Sequence, residues 1–262
     1  MLASPCYVIS DAHLGAADVA EERQLVAFLR SLSGRAGSLL INGDLFDFWF
    51  EWRTVIPRGH FRTLAALAEL VEGGVPVTML AGNHDCWGGD VLTREVGIEY
   101  LLTGWKGDLA GWRTTVEHGD GLREVEDRPY RRLRAVIRHP WAIRAFRWLH
   151  PDSGSWLARG SSDTSRVHRA RDGGAALGAV AFAQLGAHPE TQLLIYGHTH
   201  VPALMRAPGG GVYANPGAWL DGPTYLKVTP ERVELRRWKG GSAEGDLLDA
   251  ADRVAKESLP RA

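Results

Sequence analysis

Five short apolar runs along this chain stop abruptly on Asp, Asn or His. Cys6-Tyr7-Val8-Ile9-Ser10 runs into Asp11-Ala12-His13, and Ser38-Leu39-Leu40-Ile41 runs into Asn42-Gly43-Asp44. Pro76 to Leu80 delivers Gly82-Asn83-His84-Asp85. The alternating stretch Trp112 to Glu117 delivers His118-Gly119-Asp120, and Leu193 to Tyr196 delivers Gly197-His198-Thr199-His200. Between the first three runs the apolar spacing turns helical. Leu25, Phe28, Leu29 and Leu32 mark a helix over 21–32; Phe61, Leu64, Leu67, Ala68 and Val71 mark another that stops at Gly73-Gly74. Strand, helix, strand, helix, strand predicts a βαβαβ unit with a parallel sheet. Parallel strands end on one edge, where such sheets take their ligands. That edge would collect Asp11, His13, Asp44, Asn83 and His84.

Farther along the order loosens. Glu99 to Leu102 reads as hairpin-like, and about 123–171 is broken by Pro140, Pro151 and Gly154 into short helices. A Gly/Ala-rich helix is expected over about 174–187. Ala203 to Arg206, Val212 to Ala214, Thr224 to Val228 and Arg232 to Trp238 alternate over short runs, which suggests antiparallel strands. The tail from about Ala243 reads as a polar helix or a frayed end. Without repeats or a low-complexity linker, residues 1–262 read as a single domain with a helical insertion at about 123–171.

Composition narrows the class. At 262 residues, 45% hydrophobic and 23% charged, the chain can bury a full core and is not a disordered type. No apolar run reaches spanning length, and the first residues lack the basic start and apolar centre of a signal peptide. Cys6 and Cys86 are too few for a disulfide framework, so a reducing cytoplasm is expected. The net charge of −1 conceals an asymmetry: Arg123 to Arg171 holds twelve Arg and no Lys against five acids. Basic character concentrated there points to an anionic ligand or surface.

The chemistry lies in the strand ends. The chain has three asparagines, Asn42, Asn83 and Asn215, each in a Gly-containing turn beside other polar groups. Asp11, His13, Asp44, Asn83, His118, His198 and His200 mix carboxylate, imidazole and amide donors, a set suited to Mn, Fe or Zn rather than Mg or Ca. Two such ions side by side clamp the attacking and leaving oxygens of a displacement at phosphorus.

Those five blocks, spread over residues 11–200, resemble the calcineurin-like metallophosphoesterases, whose motifs read D-x-H, G-D, G-N-H-D, H-G-D and G-H-T-H. The resemblance implies a four-layer αββα sandwich, an α/β fold of two mixed sheets flanked by helices with a helical lid insertion. It also implies that Asp11, His13 and His200 hold one divalent ion, that Asn83, His118 and His198 hold a second, and that Asp44 bridges them. By the same likeness His84 stabilises phosphoryl charge or protonates the leaving group, with Asp85 orienting its ring.

A narrower likeness rests on Asp44-Leu45-Phe46-Asp47-Phe48-Trp49, on His118-Gly119-Asp120 followed by Asp127, Tyr130, Arg134 and His139-Pro140-Trp141, and on Gly217-Ala218-Trp219. These are similar to the UDP-2,3-diacylglucosamine pyrophosphatases of lipid A synthesis, which release UMP and a diacylglucosamine 1-phosphate. Carried over, Asn83, His84, Asp127, Tyr130, Arg134, Ser162, Ser165, Arg166, Arg169 and His198 would contact such a nucleotide-linked glycolipid. The best-known branch has Arg where this chain has His84, which leaves open a relative acting on another nucleoside diphosphate-linked substrate. The insertion mixes its Arg with Tyr130, Trp141, Phe146, Trp148 and Trp156, suiting peripheral contact with the inner face of the cytoplasmic membrane. The alternatives are a nuclease, disfavoured because these Arg are interleaved with large apolar residues, and a metal-free scaffold, disfavoured because no expected ligand is missing.

Overall fold

The computed structural model describes residues 1–124, 127–157, 172–241 and 244–254. Its first half is built as the periodicity predicts. β1 (Cys6–Ile9), β2 (Ser38–Asn42) and β3 (Val77–Leu80) lie parallel in register, joined by α1 (Val19–Ser31) and α2 (Phe61–Glu72). α1 begins two residues before the apolar spacing announces it, because the Asp18 N–H donates to Glu21 Oε2 at 2.8 Å and closes a capping box.

Glu99 to Leu101 is not hairpin-like: it is a fourth parallel strand, β4 (Glu99–Leu101), on the edge beside β3. The hairpin follows it, formed by β5 (Trp105–Leu109) and β6 (Trp112–Val116) around Ala110-Gly111, both at positive φ. β5 was hidden because Lys106, Gly107 and Asp108 break any alternation.

The insertion contains α3 (Arg128–Ile137), α4 (Pro140–Arg147) and a helical stretch at 151–157. α5 (Ala175–Ala187) leads to β7 (Leu193–Ile195), β8 (Ala203–Arg206) and β9 (Val212–Asn215). The antiparallel expectation holds for β8 against β9, but β9 also lies parallel to β7. β10 (Thr224–Val228), β11 (Arg232–Arg237) and β12 (Asp246–Asp252) complete the chain as an antiparallel set. β12 replaces the expected polar helix or frayed end. Its sequence DLLDAAD carries no period of two, and ladder bonds to β11 decide its state.

Two mixed sheets result, one ordered β12-β11-β10-β1-β2-β3-β4 and the other β5-β6-β7-β9-β8. Strand alternation sorts side chains into layers. Tyr7, Ile9, Leu39, Ile41, Val77 and Met79 face α1 and α2, meeting Leu25, Phe28, Leu29, Leu64 and Leu67. Cys6, Val8, Leu40 and Leu80 point the other way, onto Trp112, Val116, Leu193 and Ile195 of the second sheet. Leu194, Tyr196 and Tyr213 on that sheet's outer side receive Leu177, Ala181 and Leu185 of α5. This is the four-layer αββα sandwich. A fully buried side chain such as Phe28 contributes about 3–5 kcal/mol against truncation to Ala, so the strand ends stand on a rigid base. Both cysteines are buried and free. Among the described residues no helix is long and apolar enough to cross a membrane.

Candidate metal centre

The layered core brings the ends of β1, β2 and β3 from one sheet against the ends of β6 and β7 from the other. Asp11, His13 and His200 gather there, as do Asp44, His118 and His198, with one ligand atom of each residue within 4.8 Å of the others. His84 joins His13 and Asp44 in a third such group.

The backbone is bent to achieve this. Among the described residues seven non-glycine residues have positive φ, and five of them are Asp11, His13, Asp44, His198 and His200. Each such conformation costs on the order of 1–3 kcal/mol, which the sandwich beneath must offset. Two glycines permit the close approach. A Cβ on Gly82 would run into the Asp44 carboxylate, and one on Gly197 would run into Ser10 and Asp11. The glycine of one block thus makes room for a carboxylate of another.

Hydrogen bonds aim the donors. His118 Nδ1 lies 2.7 Å from the Asn42 carbonyl, and His84 Nδ1 lies 2.9 Å from the Asp47 carbonyl. A carbonyl only accepts, so each Nδ1 carries a proton, which leaves each Nε2 as the ring atom that can take either a proton or a cation. His200 Nδ1 is 3.0 Å from Asp221 Oδ2, which leaves its Nε2 free to face His13 Nε2 at 3.1 Å. Asp44 accepts the His84 N–H at 2.9 Å through Oδ1 and turns Oδ2 to His118 at 3.2 Å. Asp11 Oδ2 accepts from Ser10 and from the His198 N–H, while its Oδ1 is buried without a hydrogen-bond partner. Asn83 Oδ1 is likewise buried and unpartnered.

Of the other asparagines, Asn42 ties the two sheets through Glu117 O at 3.1 Å. Asn215 holds the His198 loop through Gly197 O at 2.9 Å and Thr199 Oγ1 at 3.2 Å.

Converging lone pairs with orphaned acceptors need positive charge. Burial opposes charge on Asp44, yet the imidazoles of His118, His84 and His13 hold its carboxyl well below the usual range. Burial likewise opposes a proton on His118, but Asp44 raises it well above its ordinary value. Burial and the neighbouring His118 push His198 down to about 4. Without cations the cluster balances its carboxylates with protons, and a metal competes for the same lone pairs. The donor set therefore fits divalent cations, with Asp11, His13 and His200 converging on one side, His118 and His198 on the other, and Asp44 grouped with both His13 and His118.

Asp85 does something other than orient His84. Its carboxylate accepts backbone N–H groups from Gly82 at 2.8 Å, Leu45 at 2.8 Å, Asp44 at 3.3 Å and Phe46 at 3.4 Å, tying the loop after β2 to the loop after β3. Burial and the charge of Asp44 push its pKa up to about 7. The group beside the His84 ring is Asp47, whose carboxylate also lies 3.6 Å from His13 Nδ1. The family resemblance implied that role for Asp85, but the turn after β3 points its side chain back into the fold.

Three expected substrate contacts are engaged elsewhere. Asp127 takes the Arg123 guanidinium at 2.7 and 3.1 Å, Tyr130 donates to Asp120 at 2.7 Å, and Arg134 lies 3.3 Å from the same carboxylate. The buried Asp120 carboxylate takes Tyr130 and Arg134, so α3 docks through those two side chains. Ser162, Ser165, Arg166 and Arg169 lie outside the described residues. Asp47 and Asp221 were not singled out as site residues. Their signal was position, since Asp47 sits three residues after Asp44 and Asp221 just after Gly217-Ala218-Trp219.

Beside the cluster opens a cavity of about 780 Å³. Asp47 lies at the end nearest His13 and His84, Phe48, Trp52, Val55, Ile56 and Trp156 give it apolar walls, and Arg58, His60, His150 and Asp152 are its other ionisable groups.

The calcineurin-like phosphoesterase model matches residues 4–202. A UDP-2,3-diacylglucosamine hydrolase of Porphyromonas gingivalis is 34% identical, over 88% of this chain and 99% of its own length. One of Salmonella arizonae is 32% identical, over 87% of this chain and 96% of its own. Among solved structures, a Vps29 mutant of Entamoeba histolytica aligns over 94% of this chain and 98% of its own at 14% identity, with a TM-score of 0.47. The match over residues 4–202 and the near full-length relatives establish what the strand-end geometry suggested: the chain is a hydrolase belonging to the calcineurin-like phosphoesterase family.

Proposed function

We propose that this enzyme hydrolyses the diphosphate of UDP-2,3-diacylglucosamine, releasing UMP and 2,3-diacylglucosamine 1-phosphate. The observation that carries the reading is the apolar cavity opening directly beside the metal cluster, in a chain whose near full-length relatives are named for that hydrolysis. A phosphate ester with a large apolar substituent fits that juxtaposition. When bound, two divalent ions, for which Mn suits the mixed donors, would supply Lewis-acid polarisation of the phosphoryl oxygens and acidify a water.

The chain's own groups do the rest. His84, with Nδ1 fixed on the Asp47 carbonyl, turns Nε2 toward the space it shares with His13 and Asp44, where it can carry a proton to the departing oxygen. Phe48, Trp52 and Trp156 exclude water from the apolar part of the substrate, and Arg58 at the cavity wall offers a fork for phosphate oxygen. The described part of the insertion supplies one wall of that cavity through His150, Ser155 and Trp156. Trp141 and Trp148 are 70% and 88% exposed, and Arg144 stacks over Trp141. That combination supports peripheral contact with an anionic membrane face from the cytoplasm. Cosedimentation with anionic vesicles, weakened by Trp148→Ala, checks this contact; equal recovery of both proteins refutes it.

The test of the reaction is UMP release from UDP-2,3-diacylglucosamine by the Mn-loaded protein, beside hydrolysis of a generic aryl phosphodiester. Metal-dependent UMP release is expected, abolished by chelator. Diester hydrolysis without UMP release removes the glycolipid and leaves the phosphoesterase.

A further inference from the structure

Arg138 is the last side chain of the α3 face that docks on Asp120. Tyr130, Arg134 and Arg138 are spaced four apart, so one side of the helix presents all three to that carboxylate. Arg138 alone reaches further. Its Nη2 donates to Gly82 O at 3.2 Å and lies 3.6 Å from Asp120 Oδ2, and its Nη1 reaches Leu102 O at 3.4 Å. Gly82 immediately precedes Asn83, and Asp120 follows His118 by two residues. These two ligands stand on different sheets, at the ends of β3 and β6. One guanidinium from the insertion therefore spans the seam between them. A second tie lies alongside, where Trp87 Nε1 donates to Ile137 O at 3.0 Å.

We propose that Arg138 is a positioning residue for the second metal ion, holding the Asn83 loop and the His118 loop at a fixed separation and making that half of the centre depend on the seating of α3. The planar fork suits the task, since it meets two carbonyls and a carboxylate at once and stays charged while four-fifths buried. Asp11, His13 and His200 have no hydrogen bond or ion pair with Arg138, so the first ion is indifferent to it. The effect is asymmetric: groups that orient ligands typically change metal affinity by about 10–100-fold, here at one ion of two. The inference rests on the reading that the cluster binds a pair of ions.

The experiment is equilibrium Mn binding to the full chain, with electron paramagnetic resonance to separate a spin-coupled pair from a single ion. The wild-type protein is expected to bind two Mn. Arg138→Ala is expected to keep the affinity for one Mn unchanged, weaken the other at least tenfold and lose the coupled signal at limiting metal. Arg138→Lys, which keeps the charge without the fork, is expected to fall between. Arg132→Ala, on the exposed side of the same helix, serves as the control and binds as wild type.

Unchanged binding of both ions by Arg138→Ala, or equal weakening of both, overturns the proposal. If Arg138→Ala fails to fold, Arg138→Lys decides by the same criteria. A wild-type protein that binds no Mn pair removes the dimetal reading itself, an outcome distinct from any failure of Arg138.

Discussion

The strand-end cluster and the insertion are both rich in charged and hydrogen-bonding side chains, yet the fold uses them in opposite ways. In the cluster, polar atoms face one another with lone pairs left over: Asp11 Oδ1 and Asn83 Oδ1 have no hydrogen-bond partner, and two imidazole nitrogens confront each other at 3.1 Å. In the insertion, Tyr130 and Arg134 pair with Asp120, Asp127 pairs with Arg123, and large apolar side chains stand exposed among exposed arginines. Unsatisfied polarity is the feature that fits a cation, and exposed apolar surface is the feature behind the proposed membrane contact. The sharpest way to break this contrast is at Asp44, which turns one oxygen to the His84 backbone and the other toward His118 and His13. Asp44→Ala should lower Mn-dependent phosphodiester hydrolysis by about 10³-fold, a loss typical of removing preorganised electrostatic stabilisation. A variant that keeps a tenth of the activity would mean that the cluster is not the reaction centre.

Asp221 probes how far the cluster's order extends. It lies in the helical turn Trp219–Asp221, held over β1 by the Trp219 N–H on Ser10 O at 3.1 Å, and its carboxylate meets His200 Nδ1. Carboxylate partners fix the tautomer of a ligating imidazole and raise its basicity. Asp221→Asn keeps the shape and removes the charge, so Mn affinity should fall by about 10–100-fold with the fold intact. Trp156→Ala, across the cavity, should leave Mn affinity alone and raise KM. Calorimetric Mn titration beside steady-state kinetics separates the two. If the Trp variant loses metal and the Asp variant does not, the division of labour is reversed.

What the sequence made legible follows the same division. The βαβαβ unit and the convergence of Asp11, His13, Asp44, His118, His198 and His200 were readable because each follows a short buried run whose end periodicity fixes, whereas their division between two ions came only from the family resemblance. The resemblance implied that Asp85 orients the His84 ring, whereas Asp85 turns back onto the Gly82 and Leu45 N–H groups, which no sequence pattern announces. β12 and β5 were invisible because pairing partners, not local alternation, make them strands. Arg138 and Asp221 were hidden for a related reason. Nothing local distinguishes a solvated Arg from one that spans two sheets, and only the closed sandwich places Gly82 beside Asp120.

The smallest test falls on Tyr130, where a substrate contact and an internal contact predict different kinetics. Its hydroxyl is 2.7 Å from Asp120 Oδ2, and burial with that neighbouring carboxylate drives its pKa upward, so it stays a neutral donor at any working pH. Tyr130→Phe removes one hydrogen bond to a charged acceptor, worth about 1.5–3 kcal/mol at full strength and less here, because Arg134 and Arg138 still serve Asp120. The expected outcome is a denaturation midpoint lowered by a few degrees, with KM for the diphosphate substrate within about twofold of wild type. A KM raised tenfold at unchanged stability would place the hydroxyl on the substrate, and α3 would then be a binding element rather than a docked support. The Asp120 network explains the stability loss without any substrate, whereas a ligand contact explains only the kinetic one. Tyr130 therefore decides whether the polar face of the insertion belongs to the protein or to what it binds.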